Sequence, residues 1–123
     1  MITYSIGEDG IFYVKFAGPT SYAEIKDYLL KFKEITGLPE KIRLLYDFTE
    51  GIIDLAEDDL VNIAQLADKA TVRYTTVRTA FLVNKPDTTA FTYMFSQFRK
   101  SNRAVRRIFS TRHAAMNWLK SNA

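Results

Sequence analysis

With 123 residues, 47% hydrophobic and 25% charged, the chain has the size of one domain, expected to span residues 1–123, and can bury a core without metal or cross-links. Zero cysteines exclude disulfide scaffolds, thiol catalysis, cysteine-ligated zinc and iron–sulfur clusters, and set the expectation of a reducing compartment. The net charge of +3 hides a division: residues 1–68 hold 6 Lys/Arg against 13 Asp/Glu, and residues 69–123 hold 11 against 1, so an anionic partner and internal pairing of the halves are both open.

Residues 2–6 alternate, Gly7-Glu8-Asp9-Gly10 supplies turn chemistry, and residues 11–17 return as a strand that Gly18-Pro19 should stop. Ser21 and Glu24 have capping-box spacing. They open a helix with Tyr22, Ile25, Leu29 and Phe32 on one face, ended by Gly37 and Pro39. Residues 42–46 are too short a run for a helix and read as a central strand leading into the loop Asp47-Phe48-Thr49-Glu50-Gly51. Asp54 and Glu57 repeat the capping spacing before a second helix bearing Leu60, Ile63, Ala64 and Ala67.

Residues 77–83 form the next strand, closed by Asn84-Lys85-Pro86-Asp87, with Asp87 expected as N-cap of a third helix whose buried stripe is Phe91, Met94, Phe95 and Phe98. Residues 104–109 make the last strand, placed at an edge by the adjacent Arg106 and Arg107. Ser110 or Thr111 caps a final helix with Ala115, Trp118 and Leu119 inward. Right-handed crossovers make the last four strands parallel and leave the first antiparallel to the second. The expected fold is α/β: a mixed five-stranded sheet, four parallel strands plus one antiparallel N-terminal strand, packed with four helices.

Ligands of such sheets gather at the carboxyl ends of the parallel strands. Here those ends supply Asp47, Thr49, Glu50, Asn84, Lys85 and Thr111 as the candidate partner- or ligand-binding rim. The acidic residues Asp47, Glu50, Asp54, Glu57, Asp58 and Asp59 match no calcium-loop spacing and have neither His nor Cys beside them, so no metal is expected. His113 is the only histidine, and the chain has no Gly-x-Ser-x-Gly elbow, dinucleotide fingerprint or phosphate loop. No catalytic residue and no cofactor are assigned. An enzyme would have to use Asp47 or His113 as acid or base.

Arg99, Lys100, Arg103, Arg106 and Arg107, with Arg112 beyond, form a basic run that could displace counterions from nucleic-acid phosphates or meet anionic lipid. The start Met1-Ile2-Thr3-Tyr4-Ser5 lacks the features of a secretory signal, and no apolar run approaches roughly 18 residues. A cytoplasmic protein is expected. Tyr13, Tyr22, Tyr28, Tyr74 and Tyr93 could furnish a homodimer patch, although core packing accounts for aromatics equally well.

The order of elements, the strand Arg43-Leu44-Leu45-Tyr46-Asp47-Phe48, the strand Val77-Arg78-Thr79-Ala80-Phe81-Leu82-Val83 and the closing helix with Ala115, Trp118 and Leu119 resemble the SpoIIAA-like branch of the STAS domains. These are small bacterial relatives of anti-sigma-factor antagonists. The resemblance covers nearly the whole chain and implies a binding or regulatory role, with a hydrophobic small ligand as a further option. Regulatory members are phosphorylated on a serine in an Asp-Ser-Ser-Gly turn before the second helix. The corresponding stretch here reads Gly51-Ile52-Ile53-Asp54-Leu55-Ala56-Glu57 and contains no serine, so the resemblance implies a protein without that switch; Thr49 is the only hydroxyl of the loop. A response-regulator receiver is excluded by Gly18-Pro19, where it would carry carboxylates.

The resulting expectation is a non-catalytic domain that binds a protein partner or small ligand at the rim, with a hydrophobic ligand or an anionic lipid or nucleic-acid surface as alternatives. An apolar cavity of roughly 300 Å³ beneath the first and third helices would favour a ligand, and a filled core with a flat rim a protein.

Overall fold

The computed structural model describes residues 1–98 and 103–121. Its elements are β1 (Ile2–Ile6), β2 (Ile11–Ser21), α1 (Tyr22–Glu34), β3 (Lys41–Asp54), α2 (Glu57–Ala70), β4 (Thr76–Leu82), α3 (Pro86–Gln97), β5 (Ala104–Phe109) and α4 (Arg112–Lys120). The strands lie in sequence order, β1-β2-β3-β4-β5. β1 is antiparallel to β2, and every later neighbour pair is parallel. The α/β architecture expected from the sequence is the one observed.

Because consecutive strands are neighbours, the right-handed crossovers put α1, α2 and α3 on one face. Alternation along the strands then divides the core in two. Phe12, Val14, Phe16, Ile42, Leu44, Phe48, Val77 and Phe81 point toward α1 and α2. Ile11, Leu45, Ala80 and Leu82 point the other way and are closed by Ala115 and Leu119 of α4. Aromatic packing dominates the larger layer, where Phe16 stacks on Phe48 with ring centroids 4.2 Å apart.

Several boundaries differ from the sequence reading. β2 does not stop at Gly18-Pro19, and β3 does not give way to a loop at Asp47. The two strands run on together, Gly18 to Ser21 beside Gly51 to Asp54, past Leu82, where β4 ends. The register shifts on the way: Lys15 faces Asp47 and Ala17 faces Glu50, so Phe16 alone opposes Phe48 and Thr49. This β-bulge absorbs the turn-like residues.

Capping also departs from expectation at two helices. Ala56, not Asp54, is the N-cap of α2, and Asp59 reaches back to accept its backbone N–H at 2.9 Å. Lys85, not Asp87, precedes α3, because Pro86 lacks an N–H and suits the first helical position. The stripe expected on α3 is also corrected. Thr88 and Thr92 are its buried residues, Phe91, Phe95 and Phe98 are half-buried, and Met94 is exposed. α3 rests on β3 and β5, and Phe95 joins the two threonines against the sheet, meeting Phe81 edge-on. Ser21 and Thr111 cap α1 and α4 as expected, accepting from the N–H groups of Glu24 and Ala114.

Candidate functional site

The bulge organises the rim. Asp47 is the last β3 residue in register with β4, and its Oδ1 accepts both the Thr49 N–H at 2.9 Å and the Thr49 hydroxyl at 2.6 Å. One carboxylate oxygen thus satisfies the backbone group that the bulge removes from the ladder. The other oxygen lies 3.2 Å from Nη2 of Arg112, the first residue of α4.

Beyond the end of β4, β3 would present unpaired carbonyls. The Lys85 ammonium donates to two of them, Thr49 O at 2.9 Å and Gly51 O at 3.2 Å. A side chain from the β4–α3 connection therefore continues the ladder that β4 leaves unfinished. Glu50 pairs with Lys15 on β2, and this carboxylate holds the Lys15 ammonium above the usual lysine value.

Of the residues expected at the rim, Asp47, Thr49, Glu50 and Lys85 converge here. Thr111 lies next to Arg112 but spends its hydroxyl on the α4 cap. Asn84 lines an adjoining shallow groove that Lys85 shares with Pro86, Tyr93, Phe109 and Ser110, in which Tyr93 is 60% exposed. Sequence reasoning missed Lys15 at the rim and placed Arg112 only in the basic run. The register facing Lys15 to Asp47 is what brings Lys15 in, and residue spacing carries no signal of it.

Among the described residues, the basic run does not share one face, and Arg107 is exposed where Arg106 is not. Arg106 points into the larger core layer, its side chain 8% exposed, donating to Phe98 O at 2.8 Å, lying 3.8 Å from Asp68 and stacked 4.8 Å over Phe95. Burial holds its guanidinium below the usual arginine value. Arg103 donates to the carbonyls of Thr71 and Tyr74, and Arg107 lies over the Trp118 ring. Alternation along β5 explains the split, since adjacent residues face opposite sides. Arg99 and Lys100 fall outside the described residues. Among the described residues, no cluster of carboxylates or imidazole is arranged to hold a metal ion, and His113 is exposed on α4 with Nε2 3.2 Å from the Asn117 amide.

An apolar cavity of about 90 Å³ lies among α1, α2, α3 and the sheet, walled by Phe48, Leu60, Phe81 and Phe95 with Tyr46 and Arg106 as polar elements. The hydroxyls of Tyr28 and Tyr46 meet at 3.2 Å there, and burial pushes the Tyr46 phenol up to about 12.

No protein-family model and no curated protein matches the sequence. Solved structures do resemble it. A Shewanella loihica PV-4 protein of the DUF3478 family, described as having a SpoIIAA-like fold, superposes with a TM-score of 0.61 at 19% identity, covering 97% of this chain and 92% of that one. The chain has a SpoIIAA-like fold. The anti-sigma factor antagonist SpoIIAA in its unphosphorylated form gives 0.56 at 11% identity, over 98% of this chain and 99% of that one. The Bacillus cell fate determinant SpoIIAA in its phosphorylated form gives 0.57 at 10% identity, over 98% and 100%. No described helix is long and apolar enough to cross a membrane.

Proposed function

We propose that this chain is a non-catalytic regulatory domain that docks a protein partner on the rim carrying Asp47, Thr49, Glu50, Asn84, Lys85 and Thr111. The observation that carries the reading is the mutual engagement of the charged groups: Asp47 holds Thr49 and Arg112, Glu50 holds Lys15, and Lys85 holds two carbonyls. Groups committed in this way shape a surface and are not poised to move a proton. The neighbouring Ile52 and Tyr93 are 57% and 60% exposed, adding the apolar and aromatic area that protein interfaces use. The apolar cavity beneath α1 and α3, about 90 Å³, is well below the roughly 300 Å³ of a ligand pocket and weighs against a drug-sized apolar ligand at that place. The fold likeness to SpoIIAA, itself described as an anti-sigma factor antagonist, agrees with a regulatory role.

The test is amide mapping of isotope-labelled protein titrated with fractionated bacterial lysate, followed by the same titration of Lys85→Glu and Tyr93→Ala. Perturbations confined to residues 47–52, 84–93 and 110–112, weakened in both variants, are expected. Binding that maps wholly elsewhere, or turnover lost in a folded Asp47→Asn variant, overturns the reading.

Arg106 supports a second reading. A cation at an apolar cavity suits a compact apolar carboxylate, and about 90 Å³ accommodates roughly six water-sized units. Butyrate, titrated into the protein and into Arg106→Met, tests it. Saturable binding lost in the variant is expected, and equal binding to both proteins removes the reading.

A further inference from the structure

β1 is one edge of the sheet, and its backbone polarity can be read from the bonds at its ends. Ala17 N–H donates to Met1 O and Gly7 N–H donates to Ile11 O, both at 2.9 Å. In an antiparallel ladder the bonding direction alternates by residue, so positions 1, 3, 5 and 7 turn their peptide groups toward β2. Ile2, Tyr4 and Ile6 therefore direct theirs away from the sheet, toward open solvent.

Edges are ordinarily guarded by charge, proline or a bulge. The opposite edge, β5, carries Arg106 and Arg107. β1 reads Ile-Thr-Tyr-Ser-Ile, with neither charge nor proline, and its register with β2 is unbroken. Tyr4 is 42% exposed and Ile6 50%. The segment is also a chemical palindrome about Tyr4: isoleucine at both ends, a small hydroxyl residue on each flank, and the aromatic residue at the centre.

We propose that β1 pairs with β1 of a second copy of this chain, antiparallel and centred on Tyr4, so that two five-stranded sheets join into one. A two-fold axis through Tyr4 faces Ile2 with the partner's Ile6, Thr3 with the partner's Ser5, and Tyr4 with the partner's Tyr4. This is the register in which the outward groups of Ile2, Tyr4 and Ile6 exchange both their N–H and C=O bonds across the axis. It also stacks like residues on each face, apolar on the α1 side and hydroxyl on the other. An isologous contact sets residue i against residue j and j against i, and here each such pair is chemically alike. Five residues of strand bury less than a standard interface, so the dimer is weak, no tighter than micromolar, and concentration-dependent. The strand adjoins the rim, since Thr3 pairs with Lys15 and shares a hollow with Asp47 and Arg112, but the contact proposed uses the outward backbone of Ile2, Tyr4 and Ile6 and needs no rim residue.

The chain has no native cysteine, which makes the register directly testable. A residue on the two-fold faces itself at a Cα separation of roughly 5.5 Å, within disulfide reach. Under mild oxidation the Tyr4→Cys variant is expected to give a covalent dimer at least tenfold faster than Thr3→Cys or the distant, exposed Val72→Cys, and mixed Thr3→Cys and Ser5→Cys proteins should cross-link with each other. Sedimentation of the unmodified protein from 10 to 500 µM, ranges set on the order expected for a weak interface, should show a rising dimer fraction that Tyr4→Lys abolishes while the circular dichroism spectrum is kept. A monomer throughout that range, a Tyr4→Cys rate no higher than that of Val72→Cys, or a dimer indifferent to Tyr4→Lys overturns the proposal. If Tyr4→Lys fails to fold, the cysteine rates decide alone.

Discussion

Asp47 and Arg112 stand 65 residues apart in sequence and 3.2 Å apart in space. The pair ties β3 to the start of α4, but its two halves are unequal. The Asp47 side chain is 13% exposed and also holds the bulge through Thr49, whereas Arg112 is 56% exposed. A mostly solvated ion pair contributes under about 1 kcal/mol, and hydrogen bonds to a shielded carboxylate about 1.5–3 kcal/mol. Urea unfolding at pH 7 should therefore show Asp47→Ala losing about 2 kcal/mol and Arg112→Ala less than about 1. Asp47→Asn, which keeps an acceptor for Thr49, should fall between them. Equal losses for Asp47→Ala and Arg112→Ala would assign the stabilisation to the ion pair and not to the bulge.

The hairpin turn carries a second measurable coupling. The Tyr13 hydroxyl donates to Asp9 Oδ2 at 2.6 Å, and this bond is the main reason that the Asp9 carboxyl is held below the usual aspartate value. A depressed carboxylate pKa adds stability above the unfolded-state value and loses it as pH falls through the folded one. Tyr13→Phe should raise the Asp9 midpoint in a carbon-detected NMR titration and flatten the acid limb of the stability curve. An unchanged Asp9 midpoint would assign the depression to the Ile11 N–H, which donates to Oδ1 at 3.0 Å.

What could be read from the sequence follows from how local each signal is. Ser21 and Thr111 cap their helices through residues three positions on, so spacing alone discloses them. Strand direction was legible because each crossover is a simple strand–helix–strand unit. The continuation of β3 was not. Asp47-Phe48-Thr49-Glu50-Gly51 has turn composition, and only pairing with β2, together with a carboxylate that satisfies the bulge and a lysine from another loop, makes extended structure the lower state there. Asp54 was unavailable as a helix cap for the same reason, being the partner of Ser21 in that extension. At the rim, Asp47 and Lys85 were found because parallel sheets place strand ends together. Arg106 was misread as surface because charge, taken without the face it occupies, does not say whether a side chain is solvated.

Two glycines of the β2–β3 extension should respond differently to substitution. A Cβ on Gly51 would sit 3.1 Å from both Cβ and the carbonyl oxygen of Phe16, so the neighbouring strand must move. Gly18 has open space around it but a φ of +69°, which penalises an L side chain by about 1–2 kcal/mol. Thermal melts should show Gly51→Ala and Gly18→Ala both destabilised, Gly51→Ala by about 1–3 kcal/mol. Asparagine separates the causes, since it tolerates the left-handed region but adds bulk. Gly18→Asn should recover part of the loss, while Gly51→Asn should be worse than Gly51→Ala. The opposite order would mean that backbone conformation, and not close approach, governs Gly51.

Alkaline pH reports on the interior. Burial pushes the phenols of Tyr13 and Tyr46 up to about 12 and raises Tyr28 well above the ordinary tyrosine value, with Asp9 adding to the effect on Tyr13 and Tyr46 adding to the effect on Tyr28. For these groups the folded chain keeps protons that the unfolded chain gives up near pH 10. The stabilisation is complete below that pH and is lost as pH rises toward about 12, each tyrosine steepening the fall by at most about 1.4 kcal/mol per pH unit. Urea midpoints measured from pH 9 to 12 should therefore decline, and phenolate absorbance from these three residues should emerge only as the fold opens. Tyr46→Phe removes one titrating group and leaves Tyr28 without the hydroxyl 3.2 Å away, so it should lower stability at pH 8 while making the alkaline decline shallower. A variant whose curve stays parallel to that of the parent would show that Tyr46 ionises no later in the fold than in the open chain.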